Sequence, residues 1–172
     1  MLATADGIAP DAVHLVERDG QAPAWLRPAG AAAAGFSLSR SRTAVVVALS
    51  GSAQPVGVDI EDLQGAEAPS VAELGIVCTV PERSLLEAQG PTDRTALWRL
   101  LWTRKEAVLK ADGRGLQLDP NRVTVLKAAA CPWEWSLVHV PDGDPTHVRS
   151  LLTATDQVLS LAIQGPVPDI CG

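Results

Sequence analysis

Asp59 and Glu61 are the first residues whose types and spacing suggest chemistry. They stand in the run Val56-Gly57-Val58-Asp59-Ile60-Glu61. Side chains alternate along a strand with period two, so Val56, Val58 and Ile60 take one face and the two acids the other. Two like charges about 7 Å apart along a strand repel each other. A hard divalent cation would relieve them: Mg²⁺ takes carboxylate oxygens, keeps several waters and bridges to substrate phosphates. A solvated strand face explains the same pair without an ion.

A second set lies in WRLLWTRKEAVLKADGRGL, residues 98–116. On a helix, Trp98, Leu101, Trp102, Lys105 and Leu109 form one stripe, and Trp102, Glu106 and Lys110 follow at i, i+4, i+8. Glu106 ahead of Lys110 is a favourable helix ion pair worth about 0.2–0.5 kcal/mol. Glu106 is also a candidate third carboxylate, with Lys105 and Lys110 as compact charges for phosphate oxygens. Gly113 and Gly115 just beyond give a backbone-exposing turn where a phosphorylated ligand could pass.

The elements that must position these groups are legible in outline. TAVVVALS (43–50) is a β-branched run, GSAQP (51–55) is turn chemistry, and 56–62 alternates, so the two runs read as neighbouring strands. Residues 70–90 read as helical. Thr79, Pro81 and Glu82 mark a helix start by capping-box logic, and Gly90-Pro91 ends that segment. Thr92 or Asp93 can cap the next helix, which runs to Asp112-Gly113. Residues 122–128, 133–140, 148–154 and 158–164 are strand candidates, with ATDQ (154–157) as a hairpin turn. Residues 24–35 read as a loop anchored by Trp25. Trp133 and Trp135 share a strand face and suit a core or interface better than a base-stacking platform. Strands on both sides of a central helical section predict an α+β fold with a mainly antiparallel sheet packed with a long helix.

Composition narrows the function. The 172 residues carry 14 Lys+Arg against 20 Asp+Glu, a net charge of −6. An acidic chain without a basic run is a poor nucleic-acid binder. No run of 18 apolar residues occurs, so no membrane span is expected. MLATADGIAPDAVHLVERDG lacks a basic start and an apolar h-region, which predicts a cytoplasmic protein. The 3 cysteines (Cys78, Cys131, Cys171) are far apart, and His14, His139 and His147 lack ligand spacing, so a thiolate or imidazole metal site is not indicated. An oxygen-ligand site stays open.

Together these segments are similar to the 4′-phosphopantetheinyl transferase superfamily. Its hallmarks are a (V/I)G(V/I)D(I/V)E strand, then about 40 residues later a (W/F)xxKE(A/S)xxK helix followed by GxGL. Here they are Val56–Glu61, Trp102–Lys110 and Gly113–Leu116. Upstream, Phe36-Ser37-Leu38-Ser39-Arg40-Ser41 resembles the family's FNLSHS segment. The resemblance covers roughly residues 36–165. It implies a domain over 36–165, preceded by a shortened N-terminal segment (1–35) and followed by a tail (166–172). It also implies a reduced version of the pseudo-dimeric, surfactin-type fold, with self-association as a homodimer as one way to complete it.

The resemblance implies transfer of the phosphopantetheine arm of coenzyme A to a serine of an acyl or peptidyl carrier protein, releasing adenosine 3′,5′-bisphosphate. It implies Mg²⁺ held by Asp59, Glu61 and Glu106. Glu106, directly or through water, would take the serine proton, and Lys110 would bind the phosphate that keeps the arm. Ser39, Arg40, Lys105, Gly113 and Gly115 would contact coenzyme A. The WxxKEA wording is closest to members serving polyketide and related secondary metabolism. Arg40 stands where the family has histidine; arginine binds phosphate well. Two other readings compete: a degenerate homologue that only binds carrier protein or coenzyme A, and a recruited enzyme acting on carrier-bound intermediates. Arg83, Arg94 and Arg99 are available for carrier docking, though each is as easily a solvated charge.

Overall fold

The structure, a computed structural model, describes residues 14–16, 24–26, 35–51, 53–126 and 134–167. The expectations for Cys131, Cys171, Trp133 and the side chain of Trp25 lie outside the described residues. Strand β1 (His14–Val16) pairs antiparallel with β2 (Ala24–Leu26), so the 24–35 stretch begins as a strand rather than a loop. Strands β3 (Phe36–Arg40) and β4 (Val45–Leu49) form a second antiparallel pair.

The principal sheet comprises β5 (Val56–Asp62), β6 (Ser136–Val138), β7 (Thr146–Leu152) and β8 (Gln157–Gln164), in the order β5-β8-β7-β6, all antiparallel. The expected pairing of 43–50 with 56–62 does not occur: β5 takes β8 as its partner. Two serines of β3 bond β5 instead, Ser37 Oγ accepting from Val58 N–H at 3.0 Å and Ser39 Oγ donating to Asp59. The predicted turn at 154–157 is present, with Asp156 at φ 58°.

Helices α1 (Val71–Val77) and α2 (Val80–Glu87) divide the 70–90 region. Helix α1 opens on a capping box, Ser70 Oγ accepting from Glu73 N–H and Glu73 from Ser70 N–H; at α2 Glu82 accepts from Thr79 N–H at 2.8 Å, while Thr79 Oγ1 has no partner among the described residues. Helix α3 (Pro91–Asp112) is 22 residues long. Its N-cap is Gly90 with Pro91 in the first turn, not Thr92 or Asp93, because proline's fixed φ and missing N–H suit that position. It ends on Gly113 at φ 85°, a left-handed cap that glycine takes without steric cost.

Residues 123–126 correct another expectation. Val123 and Val125 are buried in alternation as a strand would have them, but no strand forms. The hydrogen bonds go to side chains: Glu82 Oε1 accepts from Val125 N–H at 2.9 Å, and the Val123 carbonyl accepts from Lys105. The core lies between α3 and the sheet, where Leu101, Val108 and Leu109 cluster with Val138, Val148 and Ala162. No helix among the described residues is long and apolar enough to cross a membrane.

Candidate active site

The placement of the site begins with Gly57. A Cβ there would stand 1.9 Å from the Ala107 carbonyl oxygen and 2.6 Å from the Ala111 nitrogen. Only glycine lets the backbone of α3 lie directly on β5. That contact sets Glu106 and Lys110 beside Asp59 and Glu61. Lys110 Nζ donates to Asp59 Oδ1 at 2.8 Å and to the Val58 carbonyl at 3.1 Å. An ammonium has three N–H donors, so one remains for a ligand.

Asp59 is buried. Its Oδ1 accepts from Ser39 Oγ at 2.8 Å as well as from Lys110, while its Oδ2 is buried without a hydrogen-bond partner. Burial raises its pKa above the usual aspartate value, with Lys110 working against that shift. Glu61 is half-buried; it accepts from Arg99 at 3.2 Å and from the Trp102 indole. Burial again raises its pKa, opposed by Arg99 and assisted by Asp59. Glu106 receives no side-chain hydrogen bond among the described residues. Its pKa is raised by burial first, then by the negative charges of Asp59 and Glu61, with Lys110 opposing. The three acids therefore share one field, in which Lys110 pairs with Asp59 and Arg99 with Glu61 while Glu106 has no ion pair among the described residues.

Two cavities adjoin Arg99, the ion-pair partner of Glu61; Asp59, Glu106 and Lys110 line neither of them. One, of about 330 Å³, is lined by Arg40, Arg42, Arg99, Glu61 and Asp62. The other, of about 500 Å³, is walled by Trp98, Trp102 and Arg99, with the tryptophan rings stacked at 6.1 Å. Arg99 and Gly65 belong to both. Arg99 thus pairs with Glu61 between two cavities and is not a free surface charge. Arg94 is not free either: it donates to the carbonyls of Leu86, Glu87 and Gln89 and caps the end of α2.

Other expected ligand contacts sit differently. Lys105 is 0% exposed. Its ammonium pairs with Glu82 at 2.8 Å and donates to the carbonyls of Pro120 (2.9 Å) and Val123. All three of its donors are spent inside the core, so it is a structural pin and does not reach a phosphate. Ser39 is also buried, and its one proton goes to Asp59. Gly113 and Gly115 form the exit of α3, with Gly115 at φ 55° opening a short 3₁₀ turn. Arg40 is exposed on the wall of the smaller cavity.

The acids fit a hard cation through oxygen donors. Among the described residues no three His, Cys, Asp or Glu side chains stand close enough to hold a metal ion by themselves. Mg²⁺ does not require three: it commonly takes one or two carboxylates and completes its octahedron with waters and phosphates. The partnerless Oδ2 of Asp59 and the unbonded carboxylate of Glu106 are the donors this arrangement leaves free.

Residues 55–162 match the 4′-phosphopantetheinyl transferase superfamily, and the chain belongs to that family. It is 30% identical over 139 residues to a 4′-phosphopantetheinyl transferase of Bacillus subtilis, covering 79% of this chain. The chain spans 57% of the length of that relative.

Proposed function

We propose that the protein transfers the 4′-phosphopantetheine arm of coenzyme A to a serine of an acyl or peptidyl carrier protein, with Mg²⁺, in a secondary-metabolic pathway. The observation that carries this reading is the buried Asp59: one oxygen held by Lys110 and Ser39, the other without a partner, beside Glu106. Family membership and the 30% identical transferase support the reaction class. Mg²⁺ would be held by Asp59 and Glu106, with Glu61 direct or through water, and would supply charge neutralisation for the pyrophosphate of coenzyme A.

The chain's own residues then have separate tasks. Arg40, Arg42 and Arg99 line a cavity suited to a polyphosphate. The neighbouring cavity along Trp98 and Trp102 suits the neutral arm. Lys110 binds the phosphoryl group that keeps the arm and holds Asp59 in place. Glu106 accepts the proton of the carrier serine as its oxygen attacks that phosphorus; the bond to adenosine 3′,5′-bisphosphate breaks. A carboxylate raised in pKa by burial and two neighbouring acids is a stronger base than one in water, which suits this task.

The test is transfer itself. With coenzyme A, Mg²⁺ and an apo carrier protein, the carrier serine should gain the mass of the arm. Glu106→Gln should lower kcat by about 10²–10⁴-fold while coenzyme A still binds. Absence of mass gain on every carrier of the chain's own pathway, or a Glu106→Gln variant as fast as wild type, would refute it.

A further inference from the structure

Asp62 and Gln157 are absorbed by neither the acidic field nor the proton transfer, yet they share a network of hydrogen bonds with residues 41–43. Asp62 Oδ1 accepts from Thr43 Oγ1 at 2.8 Å, Gln157 Nε2 at 2.9 Å and Ser41 Oγ at 3.2 Å. Its Oδ2 accepts from Arg42 N–H at 3.1 Å. Gln157, 3% exposed, also reaches Ser41 Oγ and Thr43 Oγ1, and its own Oε1 accepts from Thr155 Oγ1 at 2.9 Å. Every one of these donors on residues 41–43 belongs to the turn between β3 and β4. That turn exposes Arg42 and Thr43 in its middle and follows directly on Arg40, the last residue of β3; Arg42 Nε also lies 3.9 Å from Asp62 Oδ2.

We propose that Asp62, backed by Gln157, is a positioning residue that clamps the β3–β4 turn so that Arg40 and Arg42 face the anion cavity. This rests on the transferase reading for the identity of the anion. The opposite role makes an opposite prediction. Asp62 lines that cavity, and its charge alone would repel a polyphosphate. If it were only a charge, neutralising it would tighten binding. As a clamp, Asp62→Asn replaces one acceptor oxygen with an amide donor facing donors, frees the turn and weakens binding.

The experiment is calorimetric titration of the full chain with coenzyme A and separately with adenosine 3′,5′-bisphosphate, alongside KM and kcat. Asp62→Asn should raise both dissociation constants by about tenfold, the loss of roughly one charged hydrogen bond. KM for coenzyme A should rise with it and kcat should fall by less than about twofold, as expected when only ground-state binding is lost. Thr43→Val, an exposed substitution that leaves β5 and β8 intact, should weaken binding in the same direction by about threefold, and keeps the test available should Asp62→Asn misfold. Affinity unchanged or improved in these variants overturns the clamp while leaving the transferase reading in place. A wild-type protein that binds neither ligand overturns the transferase reading and the clamp with it.

Discussion

Gly57→Ala isolates the geometry on which the site depends, because it adds one methyl group and changes no charge. That methyl would meet the Ala107 carbonyl oxygen at 1.9 Å, where real Cβ atoms stay beyond 3.0 Å. The obstacle is helix backbone, so no side chain can swing away. Helix α3 must retreat from β5 by about 1.1 Å, the difference between those distances. Overpacking of this kind costs about 1–3 kcal/mol, which for a chain of this size lowers Tm by about 3–10 °C. The larger effect falls on chemistry. Glu106 and Lys110 ride on the displaced helix while Asp59 and Glu61 stay on the strand. A misplacement of about 1 Å between reacting groups costs on the order of 10²-fold in rate. Carrier loading followed by mass spectrometry, with thermal melting on the same samples, reads both quantities. A variant that melts within about 1 °C of wild type and keeps its rate within twofold would refute the claim that this glycine sets the distance between acids and base.

Lys105→Met tests the buried pin. It leaves Glu82 without its counter-ion, at a cost of about 3–5 kcal/mol and a Tm loss near 10 °C; a higher KM for coenzyme A with an unchanged melt would instead restore Lys105 as a phosphate ligand. Glu106→Gln also has a stability signature. Burial and Asp59 raise the pKa of Glu106 above 4.5, so its favourable contribution to folding is complete below that pH and is lost as pH rises through the folded-state value. The Gln variant should therefore melt higher than wild type at pH 7–8, with the gain vanishing below about pH 4.5; a gain that grows on acidification contradicts the sign. By the same linkage Mg²⁺ should raise the wild-type Tm more at pH 8 than at pH 5, and should raise it less in the Gln variant.

Much of this site is written in local patterns. Period two placed Asp59 and Glu61 on one side of β5, and period 3.6 placed Trp102, Glu106 and Lys110 on one side of α3. What those patterns do not encode is which buried polar group finds which partner. Lys105 lies on the same stripe as Trp98 and Leu109, and that position is apolar. Its ammonium enters the core because Glu82, in a different helix, and two carbonyls of the 120–123 segment wait there. Arg99 reads as a surface charge until Glu61 is known to lie within 3.2 Å. Asp62 follows the two acids in sequence but points to the β3–β4 turn, a contact across roughly twenty residues that no short-range period reports. Within the strand expected over 122–128, the described residues 123–126 form no strand for the same reason: their alternation is correct, while side chains of Glu82 and Lys105 take the bonds a neighbouring strand would supply.

The rotational setting of α3 shows how polar contacts in the core serve the chemistry at its edge. Successive helix residues point about 100° apart, so a small rotation would carry Glu106 out of the acidic field. Three contacts on different sides oppose it. Thr103 Oγ1 accepts from Ser160 Oγ at 3.0 Å, and Ser160 meets Ser150 at 2.9 Å, which ties the sheet-facing side. Lys105 is held by three acceptors on the side away from the sheet. The backbone at Ala107 and Ala111 rests on Gly57. Glu106 sits between the second and third of these and has no freedom to turn. Burying three acids together is unfavourable by itself: burial is the first cause of each raised pKa, and neighbouring acids add to it at Glu61 and Glu106. The fully satisfied Lys105–Glu82 pair and the hydroxyl chain hold the helix in that unfavourable arrangement before any ligand arrives. On the transferase reading proposed above, a cation and a polyphosphate would find their partners already in place, and the electrostatic strain would become binding energy.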